Sequence, residues 1–439
     1  MSVSSRAALV SVLLLSVAVC VGPSSAQPKA QAPRPRVESC VSCHLEIGDE
    51  RLVKPAKAYP QDIHHARGFG CVVCHGGDCK AEGMEAMDPA KGYIGKPERR
   101  QTIQVCGRCH ADARFMKQYN PSLRVDQVAE YATSVHGRRL SELDDPKVAV
   151  CTSCHPAHSI RPKSDPASSV HPLKVAETCG RCHADATYMA EYKIATDQFQ
   201  KYTRSVHWRT MSVKGDLAAP TCNSCHGNHG AAPPGISWVG NVCGQCHAVM
   251  AGLFAKSAHA RTFAEMGTPG CATCHGNHDI QPTSIEMLGL GPKAVCAECH
   301  AADDKGGRAA TEMRALIDSL RGEQARASAI LEVAEHAGME VSQARFELNG
   351  ANDAVVKALA AVHAFSVEAV KKEADPGRVI SAKAHARGER ALEELQFRRK
   401  GLGVSLAIIL VLIAGLVLKI RQLERRQRSH DAGRDPGGA

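Results

Sequence analysis

The sequence has few of the large side chains from which a globular core is usually built. Only 4% of its 439 residues are aromatic, and tryptophan occurs twice. A chain of this length is long enough for two or three domains, which would normally bury more large side chains than this. The sequence also lacks a convincing apolar alternation of the kind that predicts β-strands. The composition therefore argues against a conventional hydrophobic core.

Cysteine is the residue in excess. Eighteen of the 20 cysteines form nine C-x-x-C pairs, and a histidine directly follows every pair. C-x-x-C-H is the attachment signature of c-type haem, in which two thiols add to the haem vinyl groups and the histidine binds the iron. The predicted attachment residues are Cys40, Cys43, Cys71, Cys74, Cys106, Cys109, Cys151, Cys154, Cys179, Cys182, Cys222, Cys225, Cys243, Cys246, Cys271, Cys274, Cys296 and Cys299. The predicted proximal ligands are His44, His75, His110, His155, His183, His226, His247, His275 and His300.

Two other kinds of site use the same cysteine spacing. C-x-x-C pairs also occur in zinc sites and in redox-active dithiols. A zinc-ribbon array or a disulfide scaffold is therefore an alternative, but neither explains a histidine after every second cysteine. The sequence predicts nine covalent haems c as the cofactor. The two cysteines outside the motifs are Cys20 and Cys79.

The motifs are organised in an internal repeat. Three stretches share an opening motif, a helical segment with Ser-x-His, and a closing motif followed by x-x-His: residues 106–158, 179–229 and 243–278. Residues 40–75 form a degenerate first repeat, in which Asp62-Ile63-His64-His65 replaces Ser-x-His, and the motif at Cys296 is an opening half alone. The array therefore has four two-haem repeats and a ninth haem. With about 29 residues per haem, we expect the haems to pack on one another and form the interior.

The sixth iron ligand decides what each haem can do. A second histidine gives a closed iron that only transfers electrons, whereas an open position can bind a substrate. Nine of the 22 histidines belong to motifs and His430 lies in the tail, which leaves twelve for nine irons. The predicted distal ligands are His64 or His65, His136, His158, His171, His207, His229, His259, His278 and His363.

Two of these positions have alternative interpretations. His363 lies on an apolar helix face, so it is either a packed core histidine or the ligand of a late haem, for which the ninth is the first candidate. The second motif departs from the repeat because Asp78 stands where x-x-His is expected, with Cys79 beside it. Cys79 is a thiolate ligand, a disulfide partner or an idle thiol, and this haem is the first candidate for unusual coordination.

Both ends of the chain indicate an exported, membrane-anchored protein. Arg6, the apolar run 7–21 and the small residues before Gln27 predict a secretory signal peptide. Residues 402–418 are apolar and have basic clusters on both sides, which predicts a transmembrane helix with a cytoplasmic tail. A buried core helix is the alternative for that stretch. We expect a bacterial inner-membrane protein with one C-terminal span and its haem domain in the periplasm.

The fold class that follows is mostly α, with little regular secondary structure between haem motifs. Residues 306–398 lack cysteine and carry apolar residues at helical spacing, which predicts two or three long helices in a hairpin or bundle. Turn signals lie at Asn349-Gly350 and Asp375-Pro376-Gly377. The predicted segments are the signal peptide (1–26), linker (27–39), nonahaem domain (40–304), helical hairpin or bundle (305–400), transmembrane helix (401–420) and basic tail (421–439).

The haem region resembles multihaem c-type cytochromes with doubled C-x-x-C-H motifs, related to the class III and cytochrome c-554-like groups. The resemblance rests on Ser-Val-His136, on Ser-Val-His207 and on C-H-G-N-H at residues 225–229 and 274–278, and covers about residues 40–300. It implies closely stacked bis-histidine haems, low potentials and respiratory electron transfer in the bacterial periplasm. By analogy with membrane-tethered members, the C-terminal helices would dock to a membrane quinone-reactive or cytochrome b-type subunit.

These features predict an electron relay between a quinone-linked membrane partner and periplasmic cytochromes or reductases. The alternative is a multihaem reductase of a small nitrogen or sulfur oxyanion at one open haem, so whether the chain is an enzyme stays open and no catalytic residue is assigned. A haem-based sensor is a third interpretation, although the tail of about 20 residues has no output domain. The formal charge of +9 is expected to balance haem propionates, and no nucleic-acid partner is expected.

Overall fold

The computed structural model describes residues 39–233 and 239–432. The structure is 68% helical, and no strand occurs among these residues. The predicted mostly α class is therefore confirmed. The predicted signal peptide with Cys20, nearly all of the linker and the last residues of the tail lie outside the described residues.

The chain divides into two compact units. The first consists of Met1–Val128 and Asp144–His171, and the second of Ala129–Leu143 and Pro172–Ala439.

Short helices joined by turns make up the region of the motifs. In chain order they are α1 (Ser39–Ile47), α2 (Glu50–Ala58), α3 (Ile63–Ala66), α4 (Cys71–His75), α5 (Arg99–His110), α6 (Ala113–Met116), α7 (Gln127–Thr133), α8 (Val135–Leu143), α9 (Cys151–Cys154), α10 (Pro172–His183), α11 (Ala186–Met189), α12 (Gln198–Arg204), α13 (Val206–Ser212), α14 (Cys222–His226), α15 (Val239–Gly244), α16 (Ala248–Ala255), α17 (Ala258–Glu265) and α18 (Gly270–His275). Single 3-10 turns lie at Tyr59–Gln61, Met84–Met87, Pro89–Lys91, Ala190–Tyr192, Ile285–Met287, Val295–Glu298 and Val362–Ala364.

Glycine ends three of the helices that carry closing motifs. In α4, α14 and α18 the helix stops at the motif histidine, and the next residue has a positive φ: Gly76 (68°), Gly227 (78°) and Gly276 (71°). Glycine adopts this left-handed conformation without a steric penalty. Each of these short helices therefore consists of little more than the motif itself.

The serine of Ser-x-His begins the helix that carries the predicted distal histidine. Ser134 Oγ accepts a hydrogen bond from Gly137 N (2.8 Å), and Ser205 Oγ accepts one from Trp208 N (3.2 Å). Ser257 does the same at the start of α17. Serine is a preferred N-cap because its oxygen satisfies an otherwise unpaired backbone N–H. The recurring Ser-x-His pattern is thus explained by one helix cap and one histidine in the first turn.

Three long helices follow the last motif: α19 (Lys305–His336), α20 (Ser342–Ala361) and α21 (Val367–Ala432). Their shared core consists largely of alanine with a few aliphatic side chains, including Ile317, Leu320 and Leu331, all fully buried. Small side chains allow the helix axes to approach closely. Ion pairs of Arg378 with Glu323 (3.0 Å) and Arg387 with Glu347 (2.8 Å) border this core.

The predicted turns in this region are wrong. Asn349-Gly350 lies inside α20, and Asp375-Pro376-Gly377 lies inside α21. A Cβ atom on Gly377 would lie 2.5 Å from the Cβ of Ala354, and one on Gly350 would lie 3.0 Å from Ile380 Cδ1. These glycines permit close helix packing instead of a chain reversal. The chain reverses at Gly338 (φ 81°) and at Phe365 (φ 51°).

The last helix continues without a break from the bundle into the apolar stretch. Within Val367–His430 it contains a window with a mean hydropathy of 2.8, none of which is buried. By length and composition this helix can cross a membrane. The predicted boundaries at residues 400/401 and 420/421 therefore fall inside one continuous helix.

Candidate haem sites

Seven motif histidines face a second histidine ring within the same compact unit. In the first unit the ring centres of His64 and His110 are 6.1 Å apart, and those of His75 and His158 are 5.9 Å apart. In the second unit the pairs are His136–His183 (6.1 Å), His207–His247 (6.4 Å), His226–His278 (6.0 Å), His259–His300 (6.0 Å) and His275–His363 (6.1 Å).

This separation is the one that two axial ligands of a single metal ion require. An imidazole nitrogen lies about 2 Å from a bound transition metal, and its ring centre lies about 1 Å further back, so two opposed rings have centres about 6 Å apart. No group of three or more His, Cys, Asp or Glu side chains suited to a metal occurs among the described residues. A haem iron needs only the two imidazoles, because the porphyrin supplies the other nitrogens. The residues therefore fit haem.

The pairs follow one rule along the chain. An opening-motif histidine faces the Ser-x-His position of the preceding repeat, as His183 faces His136 and His247 faces His207. A closing-motif histidine faces an x-x-His position further along the chain, as His226 faces His278. Each of these pairs thus consists of one histidine from each of two neighbouring repeats.

Backbone hydrogen bonds hold the two kinds of distal position side by side. The N–H of the residue before each first-turn histidine donates to the carbonyl two residues after an x-x-His. These bonds join Ile63 to Ile160 (2.8 Å), Val135 to Ala231 (3.0 Å) and Val206 to Ile280 (2.7 Å). One structural connection therefore recurs in three successive repeats and aligns the distal histidines.

The angle between paired rings differs between the two kinds of motif. Closing-motif pairs are nearly parallel, with interplanar angles of 7° (His75–His158), 5° (His226–His278) and 20° (His275–His363). Opening-motif pairs are tilted, at 88° (His64–His110), 54° (His136–His183), 36° (His207–His247) and 75° (His259–His300). The repeat therefore contains two geometrically distinct kinds of histidine pair.

Hydrogen bonds fix the tautomer of four paired histidines. Nδ1 donates to a backbone carbonyl in three of them: His75 to Gly95 (2.7 Å), His226 to Ala232 (3.2 Å) and His363 to Ala360 (3.0 Å). In the fourth, Nδ1 of His64 donates to Asp62 Oδ1 at 2.8 Å. Because the proton is on Nδ1, the lone pair on Nε2 is available to a metal, and such partners also fix the ring orientation.

The electrostatic surroundings of six paired rings favour their neutral form. Burial lowers the pKa of His136, His158, His207, His259, His275 and His278, and in each case the ring paired with it lowers the pKa further. A neutral imidazole is the form that binds iron. The same burial that lowers these pKa values therefore favours ligation.

The cysteines of consecutive motifs also lie close together. Within a repeat, the thiol of the first cysteine of the opening motif interacts with that of the closing motif: Cys106 with Cys151, Cys179 with Cys222 and Cys243 with Cys271. This interaction lowers the pKa of Cys151, Cys222 and Cys271.

A second contact links one repeat to the next. Burial raises the pKa of Cys74, Cys225 and Cys274, and a thiol of the following motif raises it further, from Cys109, Cys246 and Cys296 respectively. The attachment points of motifs two to four in the first unit, and of motifs five to nine in the second, are therefore neighbours. Haems attached at such points would lie next to one another along the chain.

His363 takes the place of a missing x-x-His. The eighth motif, at Cys271, has no later closing motif to provide its partner, and His363 of the 3-10 turn after α20 faces His275. Two residues on, the Phe365 ring packs against His259 with centres 3.9 Å apart. His363 therefore faces the eighth motif, and His300 of the ninth motif faces His259.

The Asp78-Cys79 departure has a structural role. Asp78 accepts hydrogen bonds from Lys80 N (3.0 Å) and Lys91 Nζ (3.1 Å), and the Cys79 carbonyl accepts one from Ser39 Oγ (2.8 Å). The ring that faces His75 is that of His158. Asp78 thus shapes a surface loop, and the second motif has a histidine partner like six of the other motifs.

The remaining predicted residues lie as follows. His44 is on α1, and no second imidazole faces it within residues 39–233 and 239–432. His155 directly follows α9. His65 packs edge-on against Tyr59 with ring centres 4.8 Å apart, so His64 is the histidine of that pair that faces a motif. His171 is buried, and His229 Nδ1 lies 3.7 Å from Glu130 Oε2.

Sequence reasoning missed two side chains that contact the paired histidines. Phe365 packs on His259, but nothing in the repeat pattern predicts a residue from the C-terminal helices there. Asp62 binds His64 and Ile160, and the substitution of Asp for the repeat serine was a visible signal. Burial alone would raise the pKa of Asp62, but hydrogen bonds from His64 and Ile160 outweigh it and lower that pKa.

Comparisons with protein-family models, with curated proteins and with solved structures find no match for this chain. The case for its function therefore rests on its own motifs and geometry.

Proposed function

We propose that this chain is an exported, membrane-anchored c-type cytochrome with nine covalent haems, which relays electrons between a quinone-linked membrane partner and periplasmic acceptors. The observation that carries the proposal is the set of seven histidine pairs, each beside a C-x-x-C motif and each at the ring separation of bis-histidine ligation. Bound haem would supply one-electron redox chemistry.

The protein residues in this proposal bind and orient. The motif cysteines would hold each haem covalently, and the paired histidines would bind its iron from both sides, which would exclude substrate from those irons. The hydrogen bonds to His64, His75 and His226 hold their rings ready for the metal. No side chain needs to transfer a proton for electrons to pass between closed irons.

A route for electrons is supported by the order of the motifs. Neighbouring cysteines link motifs two to four in the first unit and motifs five to nine in the second. The ninth motif directly precedes α19, and the third helix of that bundle continues into the apolar segment. In the proposed arrangement electrons from a quinone-reactive or cytochrome b-type subunit enter near the membrane and leave to periplasmic cytochromes or reductases.

The test is electron paramagnetic resonance of the oxidised, purified protein. Closed bis-histidine irons predict a spectrum dominated by low-spin ferric haem. Reduction by a quinol in membranes, followed by reoxidation by periplasmic cytochromes, should take place without a small-molecule substrate. A spectrum dominated by high-spin ferric haem would contradict the relay.

A second candidate is a reductase of a small nitrogen or sulfur oxyanion at an open iron. At the seven histidine pairs, a bound iron would have no open coordination position. The motif of His44 is where it should be tested first, because no second imidazole faces that ring among the described residues. Substrate-dependent oxidation of the reduced protein, lost when cyanide blocks one iron, would favour this candidate over the relay.

A further inference from the structure

Asp62 occupies, in the first repeat, the position that serine holds in the next three. Ser134, Ser205 and Ser257 cap their helices, and Asp62 likewise accepts a hydrogen bond from His64 N (2.9 Å). Its carboxylate does more than a serine can, because Oδ1 also accepts from His64 Nδ1 at 2.8 Å.

The Asp62 carboxylate is held firmly. Its other oxygen, Oδ2, accepts a hydrogen bond from Ile160 N at 2.8 Å, and the neighbouring Ile63 N donates back to Ile160 O. The side chain is 3% exposed. A buried charge with three hydrogen bonds is weakly screened by solvent and strongly oriented.

The equivalent histidines have no such partner. Within residues 39–233 and 239–432, no carboxylate lies within hydrogen-bond distance of the rings of His136, His207 or His259, and the buried Nδ1 of His259 has no hydrogen bond at all. Among these four first-turn histidines of the described structure, His64 alone therefore has a carboxylate partner.

We propose that Asp62 is a positioning residue that lowers the reduction potential of the haem bound between His64 and His110, which rests on the proposed haem function. A carboxylate that accepts the Nδ1 proton of an axial imidazole makes that ligand more basic. A more basic ligand and a nearby negative charge both stabilise the ferric iron, which carries one more positive charge than the ferrous iron. Reduction of this haem is therefore harder than at the serine-capped positions.

The chain contains a weaker version of the same arrangement. His300 Nδ1 lies 3.3 Å from Asp304 Oδ1, and the Asp304 side chain is 40% exposed. Solvent screens an exposed pair far more than a buried one. Asp304 therefore serves as a matched comparison, because its contact with an opening-motif histidine is longer and more exposed to solvent.

The test is a redox titration of the full-length protein followed by electron paramagnetic resonance, with Asp62→Ser as the variant. Serine is the residue that the other repeats use, so the helix cap is kept. The His64 and His110 planes are 88° apart, the largest angle of the seven pairs, which separates their low-spin signal from the near-parallel pairs. We expect at least a tenfold shift of this haem's equilibrium towards the reduced form, or about 59 mV upward for a one-electron couple.

Two further variants define the expected pattern. Asp62→Asn keeps the shape and removes the charge, so it should shift the same signal upward by a smaller amount. Asp304→Ser keeps the cap of α19. It should raise the potential of the haem between His259 and His300, but by less than Asp62→Ser raises the potential of the haem between His64 and His110. If Asp62→Ser fails to accumulate, the Asp62→Asn and Asp304→Ser comparison decides the question.

The variant must retain nine attached haems per chain. If the potential of this haem is then unchanged in Asp62→Ser, or in Asp62→Asn where only that variant is obtained, the proposed role of Asp62 is overturned. Equal shifts in every haem overturn it too, because they indicate a general structural change. Failure of the proposed function looks different, because the wild-type protein would then contain no covalent haem to titrate, or haem that is mainly high-spin.

Discussion

At the scale of single residues, the histidine that faces a motif is defined by its hydrogen bonds as much as by its position. His64 and His65 are adjacent in the sequence, yet Asp62 fixes the ring of His64 and Tyr59 packs against His65. The sequence predicts that one of the two is a distal ligand, and only the positions of Asp62 and Tyr59 show that His64 is the one that faces a motif. The role of Asp78 is likewise defined by its hydrogen bonds, because its carboxylate accepts from the backbone N–H of Lys80 and from the ammonium of Lys91 in a loop.

Replacement of His363 should open one iron. His363→Ala removes the ring that faces His275, so we expect one of nine haems to become high-spin while all nine stay attached. The high-spin fraction in electron paramagnetic resonance checks this. His336→Ala is the control, because that histidine is exposed at the end of α19 and should leave the spectrum unchanged. An all-low-spin His363→Ala protein would contradict the assignment.

Ring orientation predicts two spectroscopic groups. In a low-spin iron with parallel imidazoles the two highest occupied d orbitals differ in energy, whereas perpendicular imidazoles make them nearly equal and move the signal to a larger maximal g value. The three near-parallel pairs should therefore form one group, and the 88° and 75° pairs should lie at larger g. A single uniform signal for all low-spin haems would contradict the two geometries.

At the scale of helices, caps and close contacts explain patterns that the sequence alone left ambiguous. Serine before a first-turn histidine is a helix cap, which local sequence rules predict well. Glycine is harder to interpret, because Gly350 and Gly377 look like turn residues and instead allow helices to touch. Whether a glycine marks a turn or a contact depends on which helix lies opposite, and single-sequence patterns do not contain that information.

Gly377→Ala should destabilise the helical bundle. The new Cβ would meet the Ala354 Cβ at 2.5 Å and Leu320 Cδ1 at 2.9 Å, so we expect a loss of about 1–3 kcal/mol in the free energy of unfolding. Gly322→Ala is the matched control in α19, where only the flexible end of Arg326 is near, and it should gain about 0.5–1 kcal/mol. Thermal unfolding followed by circular dichroism measures both. Equal melting temperatures for the two variants would contradict this packing.

At the scale of the whole molecule, the histidine pairs are formed between repeats. The repeat itself predicted which histidines would face motifs in six of the seven pairs, namely the first-turn and x-x-His positions. It did not predict the partners, because a closing motif takes its histidine from much further along the chain. For the same reason His363 was expected near the ninth motif and lies at the eighth.

The anchor should be separable from the haem region. A chain that ends after Lys400 keeps His363 and the residues that pack in the bundle but lacks the apolar part of α21. We expect it to be released from membranes with nine haems and an unchanged low-spin spectrum. The full-length chain, washed in high salt, is the control and should stay in the membrane fraction. Retention of the shortened chain after the same wash would contradict a single C-terminal anchor.

The most direct test of the central claim is the intact mass of the purified chain, measured together with its haem absorbance after denaturation. Nine C-x-x-C-H motifs, seven of them with a facing histidine, predict nine covalently attached haems per chain, and therefore no free thiol at any motif cysteine. A chain whose motif cysteines are free, joined in disulfides or bound to zinc, with no covalent haem, would contradict the account.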